Sequence, residues 1–388
     1  MKKFLKRIGL FLLAGIIAAN AYVWLSGRTY LYKALWNTYA KGRSGPSATE
    51  YKIFSYRTVA NGTPDPWPVS THYNQSAIPA DLEKKMTDIA TGSFLIIKND
   101  SLYFEKYYGE FSDKSYTNSF SMAKTVVSIL TGCAIADGYI KSVDDPVYLY
   151  LPEFANDAKL KKITIRHLLT MSSGIAFDED YVSPFAYPAE AYYGNDLRKL
   201  TFHYKEVNEE PGKTFVYLSG NTQLLGFVLR KATGKTIADY ASEKLWKPMG
   251  CEQSAFWSLD REDGDEKSFC CLNSNARDFA RIGQLYLDSG RWKGKQLVPE
   301  AYALASVQPA GLKNEDGTPC VNYGYNWWMI PEYKGHRVFY ARGILGQYVL
   351  VVPDMNMIIV RLGEKRLPND SNDTPRDVYI YLDAALEM

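Results

Sequence analysis

A serine and a lysine stand three residues apart in the segment SFSMAKTVVSILTG, residues 119–132. On a helix this spacing places the side chains of Ser121 and Lys124 on one face, with their Cβ atoms about 5–6 Å apart. A serine hydroxyl needs an adjacent base to become a nucleophile, and a lysine serves as that base where burial favours its neutral form. The apolar residues that follow Lys124 would supply that burial. The spacing therefore predicts an activated serine, with an ordinary helix N-cap and an exposed lysine as the alternative.

A second group of candidates lies in FVYLSGNTQLLG, residues 215–226. Tyr217 precedes a short turn and then a helix, and its hydroxyl could relay a proton between the serine and a leaving group. Ser219 could form a hydrogen bond with the lysine. Core packing is the alternative role for Tyr217, since the chain contains 30 tyrosines.

The third group lies in YARGILGQYVLVVPD, residues 340–354, where two glycines frame Ile344 and Leu345. A glycine such as Gly343 lets a substrate approach the backbone closely. The backbone N–H of Ile344 could then join that of Ser121 as an oxyanion hole. A β-bulge is the alternative explanation for the glycines.

The elements around these residues predict an α+β fold. Residues 92–111 are typical of a β-hairpin with its turn at Asn99 and Asp100, and three short strands are predicted within 337–363. Helical patterns cover Ser121–Ile135, 163–175, 221–234, 236–246, 275–290 and a closing segment after Pro375. Strands at both chain ends predict one antiparallel sheet flanked by terminal helices, beside a mostly helical lobe. A cleft between the two is the expected place for a site.

With the S-x-x-K pair, the tyrosine and the glycine-rich strand in this order, the sequence resembles the serine hydrolases of the β-lactamase and penicillin-binding type. It is most similar to the class C-like branch, which includes esterases, D-amino-acid peptidases and 6-aminohexanoate-dimer hydrolase. The resemblance runs from about residue 90 to 365 and implies a β-lactamase-like fold. The supporting stretches are LLTMSSGI, PGKTFVYLSGNTQLLGFVLRKATGK, KLWKPMG, ARDFARIGQLYLDSGRWKGKQLVP and GILGQYVLVVPDMNMIIVRLG.

The resemblance also implies roles for individual residues. Ser121 would be acylated, Lys124 would be the base with help from Tyr217, and the N–H groups of Ser121 and Ile344 would hold the oxyanion. Substrate contacts would come from Ser219, Gly343 and, on the loop before the second motif, Tyr192 or Tyr193.

Two motifs depart from the family pattern. Ser219 stands where the family has asparagine, and Ala341-Arg342-Gly343 replaces Lys-Thr-Gly or His-x-Gly. The missing lysine or histidine removes the usual partner of a β-lactam carboxylate. Both departures suit the esterase and 6-aminohexanoate-dimer hydrolase branch.

The N-terminus predicts a membrane segment. A basic start is followed by an apolar run over 8–25, close to the length of about 20 residues that spans a bilayer. Lys2, Lys3, Lys6 and Arg7 would hold the N-terminus in the cytoplasm. We therefore expect a signal anchor at 1–27, with a cleaved signal peptide as the alternative, an extended arm at 28–90 and the hydrolase domain at 91–388. The protein would be a single-pass inner-membrane protein with its catalytic domain in the periplasm.

Composition narrows the function classes. A net charge of +2 provides no field for nucleic acid, and the four isolated histidines and five cysteines form no metal-binding pattern. The sequence thus predicts a hydrolase of small-molecule amides or esters that needs no metal or cofactor. The alternative is a catalytically weak penicillin-binding-like module that binds peptide or peptidoglycan-type ligands.

Overall fold

The computed structural model describes all residues, 1–388. Its main sheet has six antiparallel strands in the order β3-β2-β12-β11-β10-β9, so the two ends of the chain meet in one sheet. The strands are β1 (Tyr56–Val59), β2 (Thr91–Lys98), β3 (Ser101–Tyr107), β4 (Thr117–Asn118), β5 (Ala255–Ser258), β6 (Leu272–Ser274), β7 (Arg291–Trp292), β8 (Lys295–Gln296), β9 (Trp328–Tyr333), β10 (His336–Gly343), β11 (Gln347–Val352) and β12 (Met357–Gly363).

Helices cover both faces of this sheet and form the second lobe. They are α1 (Lys2–Leu25), α2 (Tyr30–Asn37), α3 (Ala80–Asp88), α4 (Met122–Ala136), α5 (Ile165–Leu169), α6 (Tyr187–Tyr193), α7 (Leu197–His203), α8 (Ser219–Thr233), α9 (Ile237–Ala241), α10 (Ala276–Leu287), α11 (Glu300–Ser306) and α12 (Arg376–Leu386).

The alternation of side chains along the strands divides the core into two clusters. Leu95 and Val360 belong to the larger cluster, which includes α4 and α10. Ile96 and Ile359, one position away on the same strands, belong to the cluster with α3 and α12. Because both faces are covered, the central strands are apolar throughout, and the burial of α4 follows from its place between the sheet and the helical lobe.

The expected sheet, hairpin and most of the helices are confirmed. The helix expected over 163–175 is shorter and covers only Ile165–Leu169. Asn99 and Asp100 form the β2–β3 turn with φ angles of 51° and 60°, the left-handed conformation that a tight hairpin turn requires. The closing helix begins after Pro375, and α8 ends at Gly234 with a φ of 68°. The α+β, β-lactamase-like architecture is therefore the one that the sequence predicts.

Three further features differ from expectation. The 28–90 segment, expected to be an extended arm, contains α2, β1 and α3. A second sheet in the order β1-β5-β6-β4 was not expected, because its strands have only two to four residues and show no period. The predicted helix over 236–246 is α-helical only to Ala241 and continues as a π-helix over Ser242–Trp246. The domain boundaries at 27 and 90 remain a prediction.

The N-terminal helix α1 contacts the body near its C-terminal end, where Val23 packs against the larger core cluster. It is long and apolar enough to cross a membrane, and none of its residues is buried against the rest of the protein. It ends at Ser26 and Gly27, where the positive φ of Gly27 (72°) turns the chain into α2.

Candidate active site

Ser121 occupies a sharp turn between β4 and α4. Phe120, directly before it, is buried with a φ of +43°, a strained conformation for an aromatic residue. The Phe120 N–H donates to the Asn118 side chain at 2.8 Å, and the Ser119 N–H donates to the Leu272 carbonyl at 2.8 Å. These bonds hold the turn, so Ser121 is presented at the start of α4.

Lys124 lies one turn further along α4 and points back at this serine. Its Nζ atom is 2.9 Å from Ser121 Oγ and 2.9 Å from the carbonyl oxygen of Phe269. The lysine is 1% exposed, although Ser121 borders a cavity. A buried amine with one hydroxyl and one carbonyl as partners can receive the hydroxyl proton along the existing contact.

Tyr217 places its aromatic ring beside the same nitrogen. The ring centroid is 5.0 Å from Lys124 Nζ, and the ring packs on Trp328 at 5.3 Å. Arg342 covers Trp328, with its guanidinium carbon 3.6 Å from the ring centroid, and Asp373 accepts from this guanidinium. The arginine of the third motif is thus part of the stack that supports Tyr217.

Two backbone N–H groups near the serine are free. Neither Ser121 nor Ile344 donates its N–H to another protein atom. The end of β10 lies against the turn before Ser121, since a Cβ atom at Gly343 would sit 2.2 Å from the Ser119 carbonyl oxygen. Glycine is therefore required here for backbone packing, which carries Ile344 to the edge of the same cavity.

The Ile344–Gly346 turn is fixed from behind by a buried arginine. The Arg361 guanidinium donates to the carbonyls of Leu345 and Gly346, at 2.7 and 2.5 Å, and to Ile89 at 2.8 Å. The Gln347 side chain donates to the Ile344 carbonyl at 3.3 Å. With its carbonyls held in this way, the turn keeps the Ile344 N–H in a constant direction.

Ser219 does not contact the lysine as expected. Its hydroxyl donates to Glu179 at 2.5 Å, and its backbone N–H donates to the same carboxylate at 2.8 Å. The expectation of a Ser219–Lys124 hydrogen bond is therefore wrong. A carboxylate at the N-terminus of α8 is favoured by the free N–H groups of that helix, which explains why Glu179 takes the hydroxyl.

The cavity over Ser121 has a volume of about 400 Å³ and is mostly apolar. The ring of Tyr192 lines it, but the Tyr192 hydroxyl faces Asn118 and Glu50, at 3.4 and 3.5 Å. Burial and the neighbouring Glu50 raise the pKa of Tyr192 well above its usual value, so this hydroxyl stays neutral. A role for Tyr192 in substrate contact, which remains a prediction, would therefore use its ring.

Cys270 also borders the cavity and forms a disulfide with Cys271. The pair follows Phe269, whose carbonyl holds Lys124, and Cys271 has a φ of +72°. The disulfide therefore constrains the segment that positions the lysine. No group of three or more His, Cys, Asp or Glu side chains is arranged to hold a metal ion.

A family model described as Beta-lactamase matches residues 79–382, most of the chain. The chain belongs to the beta-lactamase family. It is 26% identical over 297 residues to the 6-aminohexanoate-dimer hydrolase of Paenarthrobacter ureafaciens, covering 73% of this chain and 74% of that protein. The family includes enzymes that hydrolyse amide and ester bonds.

Solved structures share the fold of this beta-lactamase family member. A Bacillus anthracis protein named "putative 6-aminohexanoate-dimer hydrolase" superposes with a TM-score of 0.73 at 23% identity, covering 88% of this chain and 92% of that one. A family VIII carboxylesterase gives a TM-score of 0.60 at 16% identity, covering 80% and 99%.

Several residues of the site were missed in the sequence. Phe269 contacts Lys124 through its backbone carbonyl, and Arg361 contacts a turn that is distant in sequence. Neither contact leaves a local sequence pattern. Glu179 lies in a loop rich in Tyr, Asp and Pro without a decodable spacing. The adjacent Cys270 and Cys271 were the one visible signal near Phe269.

Proposed function

We propose that the protein is a serine hydrolase that cleaves an ester or amide through an acyl-enzyme on Ser121. The observation that carries the proposal is the 2.9 Å contact between Lys124 Nζ and Ser121 Oγ at the base of an apolar cavity. The names of relatives support both substrate classes, since one is a dimer hydrolase and another a carboxylesterase.

In the first half-reaction, Ser121 Oγ attacks the substrate carbonyl carbon while its proton passes to the Lys124 side chain. The oxyanion that forms is held by the N–H groups of Ser121 and Ile344. Collapse breaks the bond to the leaving alcohol or amine, which takes the proton from Lys124 with Tyr217 as relay. Water then attacks the Ser121 ester, gives a proton back to the serine through the same groups, and releases the carboxylic acid.

Arg342 gives the site a different cation from the lysine or histidine of the third motif. Its guanidinium lies on Trp328 and is engaged by Asp373, so it is not free to bind the carboxylate of a β-lactam. We therefore infer that simple esters and amides are better substrates than β-lactams.

We further propose that α1 anchors the protein in the inner membrane with the hydrolase domain in the periplasm. The exposed, apolar α1 and the basic residues at its start support this topology.

The direct test is turnover of p-nitrophenyl acetate, an anilide and a chromogenic cephalosporin by the full-length protein, beside Ser121→Ala and Lys124→Ala. We expect hydrolysis of the ester that is lost in both variants, with slower cephalosporin turnover. Tight binding of peptidoglycan peptides without turnover of any substrate would instead favour the binding-module alternative.

A further inference from the structure

The cavity over Ser121 extends away from the hydrolase domain toward the membrane helix. Of the 25 residues that line it, 16 are hydrophobic. Ser121 and Ile344 lie on its wall, and so does Val23 of α1. Between them the wall is formed by α2, through Leu31, Ala34 and Leu35, and by the 181–189 segment. A single apolar cavity therefore connects the reactive serine with the end of the membrane helix.

Several residues that line this cavity are also exposed to solvent. Val182 is 91% exposed and Tyr39 69%, and Leu35 and Phe185 are exposed as well. Trp24 and Trp36, which follow the lining residues Val23 and Leu35 in the chain, are 69% and 70% exposed. The surfaces of soluble proteins rarely expose such a group of large apolar residues. Trp and Tyr are enriched where a membrane protein meets the headgroup region of a bilayer.

Contacts between α1 and the body fix the direction of the mouth. The Tyr32 hydroxyl of α2 donates to Asn20 of α1 at 2.6 Å, and the Tyr22 ring of α1 packs edge-on against the Phe185 ring with centroids 6.2 Å apart. Just after α1, the Arg28 guanidinium carbon lies 5.1 Å from the centroid of the same Phe185 ring. Since α1 is held against both walls of the mouth, a bilayer that contains α1 would lie directly at its opening.

We propose that this cavity takes the apolar acyl chain of an amphiphilic ester or amide that enters from the bilayer around α1. The inference rests on the proposed hydrolase function and adds its substrate class. The acyl group bonds to Ser121 in the first half-reaction and leaves only in the second, so the cavity continuous with Ser121 is the place for its chain. The polar leaving group departs to water, and the released fatty acid returns to the membrane.

The first test measures kcat/KM of the full-length protein in nanodiscs for p-nitrophenyl esters from acetate to decanoate, below their critical micelle concentrations. Each additional buried methylene should raise kcat/KM, by up to about fourfold. Ala34→Phe and Ala189→Phe narrow the cavity from its two walls. We expect each to lower the decanoate-to-acetate ratio at least about tenfold, a change that corresponds to about two buried methylenes.

Ala158→Phe is the matched control, because Ala158 is exposed and does not line the cavity. It should leave the ratio unchanged. A second measurement compares initial rates for p-nitrophenyl palmitate placed either in the nanodisc that holds the protein or in separate nanodiscs. The shared bilayer should give the faster rate.

The outcomes separate this inference from the proposed function. Hydrolysis of acetate with a flat chain-length profile, or with ratios unaffected by both narrowing variants, overturns the acyl-chain cavity and leaves the hydrolase intact. Equal palmitate rates in the two arrangements overturn entry from the bilayer. Failure to hydrolyse any ester, together with no fluorophosphonate adduct on Ser121, overturns both proposals.

Discussion

The carboxylate of Glu179 accepts two hydrogen bonds from Ser219, one from its hydroxyl at 2.5 Å and one from its backbone N–H at 2.8 Å. The single hydroxyl proton of Ser219 is therefore committed and is not available to a substrate or to Lys124. Glu179 also accepts from the Tyr181 hydroxyl at 2.8 Å, which ties the cavity-lining segment after it to the start of α8.

This pairing predicts different consequences for its two partners. Ser219→Ala should lower the free energy of unfolding by about 1.5–3 kcal/mol, the usual contribution of a hydrogen bond to a charged group. Its kcat should stay within about a factor of three of wild type, because the hydroxyl takes no part in proton transfer. Glu179→Ala should raise KM, because the cavity-lining segment that begins at Tyr181 loses its hydrogen-bonded link to the start of α8.

Ester kinetics and chemical denaturation of Ser219→Ala and Glu179→Ala test these expectations. Glu206→Gln, which changes an exposed carboxylate, is the control. A loss of kcat in Ser219→Ala by two orders of magnitude would show instead that Ser219 acts in the chemical step.

Gly343→Ala should impair the oxyanion hole without unfolding the protein. The added methyl group would meet the Ser119 carbonyl oxygen at 2.2 Å and push the end of β10, with the Ile344 N–H, away from Ser121. Loss of one such donor lowers kcat by about 10²–10³-fold. Gly62→Ala, where the nearest atom is at 3.4 Å, is the matched control and should retain kcat. Unchanged kcat in folded Gly343→Ala would exclude Ile344 as an oxyanion donor.

Lys267 should make stability depend on pH. Burial, with a smaller effect of Lys33, lowers the pKa of Lys267 from 10.5 to about 7, and its only partner is the Ala191 carbonyl at 3.0 Å. Between these two pH values the unfolded chain holds a proton that the folded protein lacks, so unfolding takes up a proton. The free energy of unfolding therefore rises with pH from about 7 to 10.5, by up to about 5 kcal/mol.

Lys267→Met removes the titrating amine and with it this dependence of stability on pH. Denaturation curves should show the variant to be more stable than wild type near pH 7, with the difference shrinking toward pH 10. Lys247→Met, at an exposed lysine, should show no such trend. A stability difference that is constant across this pH range would contradict the buried, neutral lysine.

Reduction of the Cys270–Cys271 disulfide should lower kcat. The pair follows Phe269, whose carbonyl holds Lys124 Nζ at 2.9 Å, and a relaxed segment would hold the lysine less firmly. The measurement is kcat before and after treatment with a phosphine reductant, with intact mass to confirm the gain of two hydrogens. A Cys270→Ser/Cys271→Ser variant should be slow and insensitive to reductant. Full reduction with unchanged kcat would contradict this role.

The sequence predicted the main sheet and its helices because long apolar runs and turn residues such as Asn99 and Asp100 act locally. It also pointed to Ser121 and Lys124, whose contact depends on a single turn of helix. Contacts between segments that are distant in the chain leave no local pattern in the sequence. Three features depend on how separate elements assemble: the bond from Ser219 to Glu179, the bond from Arg361 to the Leu345 carbonyl, and the α2 wall of the cavity over Ser121.

Intact-protein mass spectrometry after treatment with a fluorophosphonate tests the central claim most directly. The probe phosphonylates a serine only where a base has activated it. We predict one adduct on the wild-type protein, none on Ser121→Ala and much slower labelling of Lys124→Ala. An unlabelled wild-type protein that is folded, or an adduct that persists in Ser121→Ala, would contradict the assignment of Ser121 as the nucleophile.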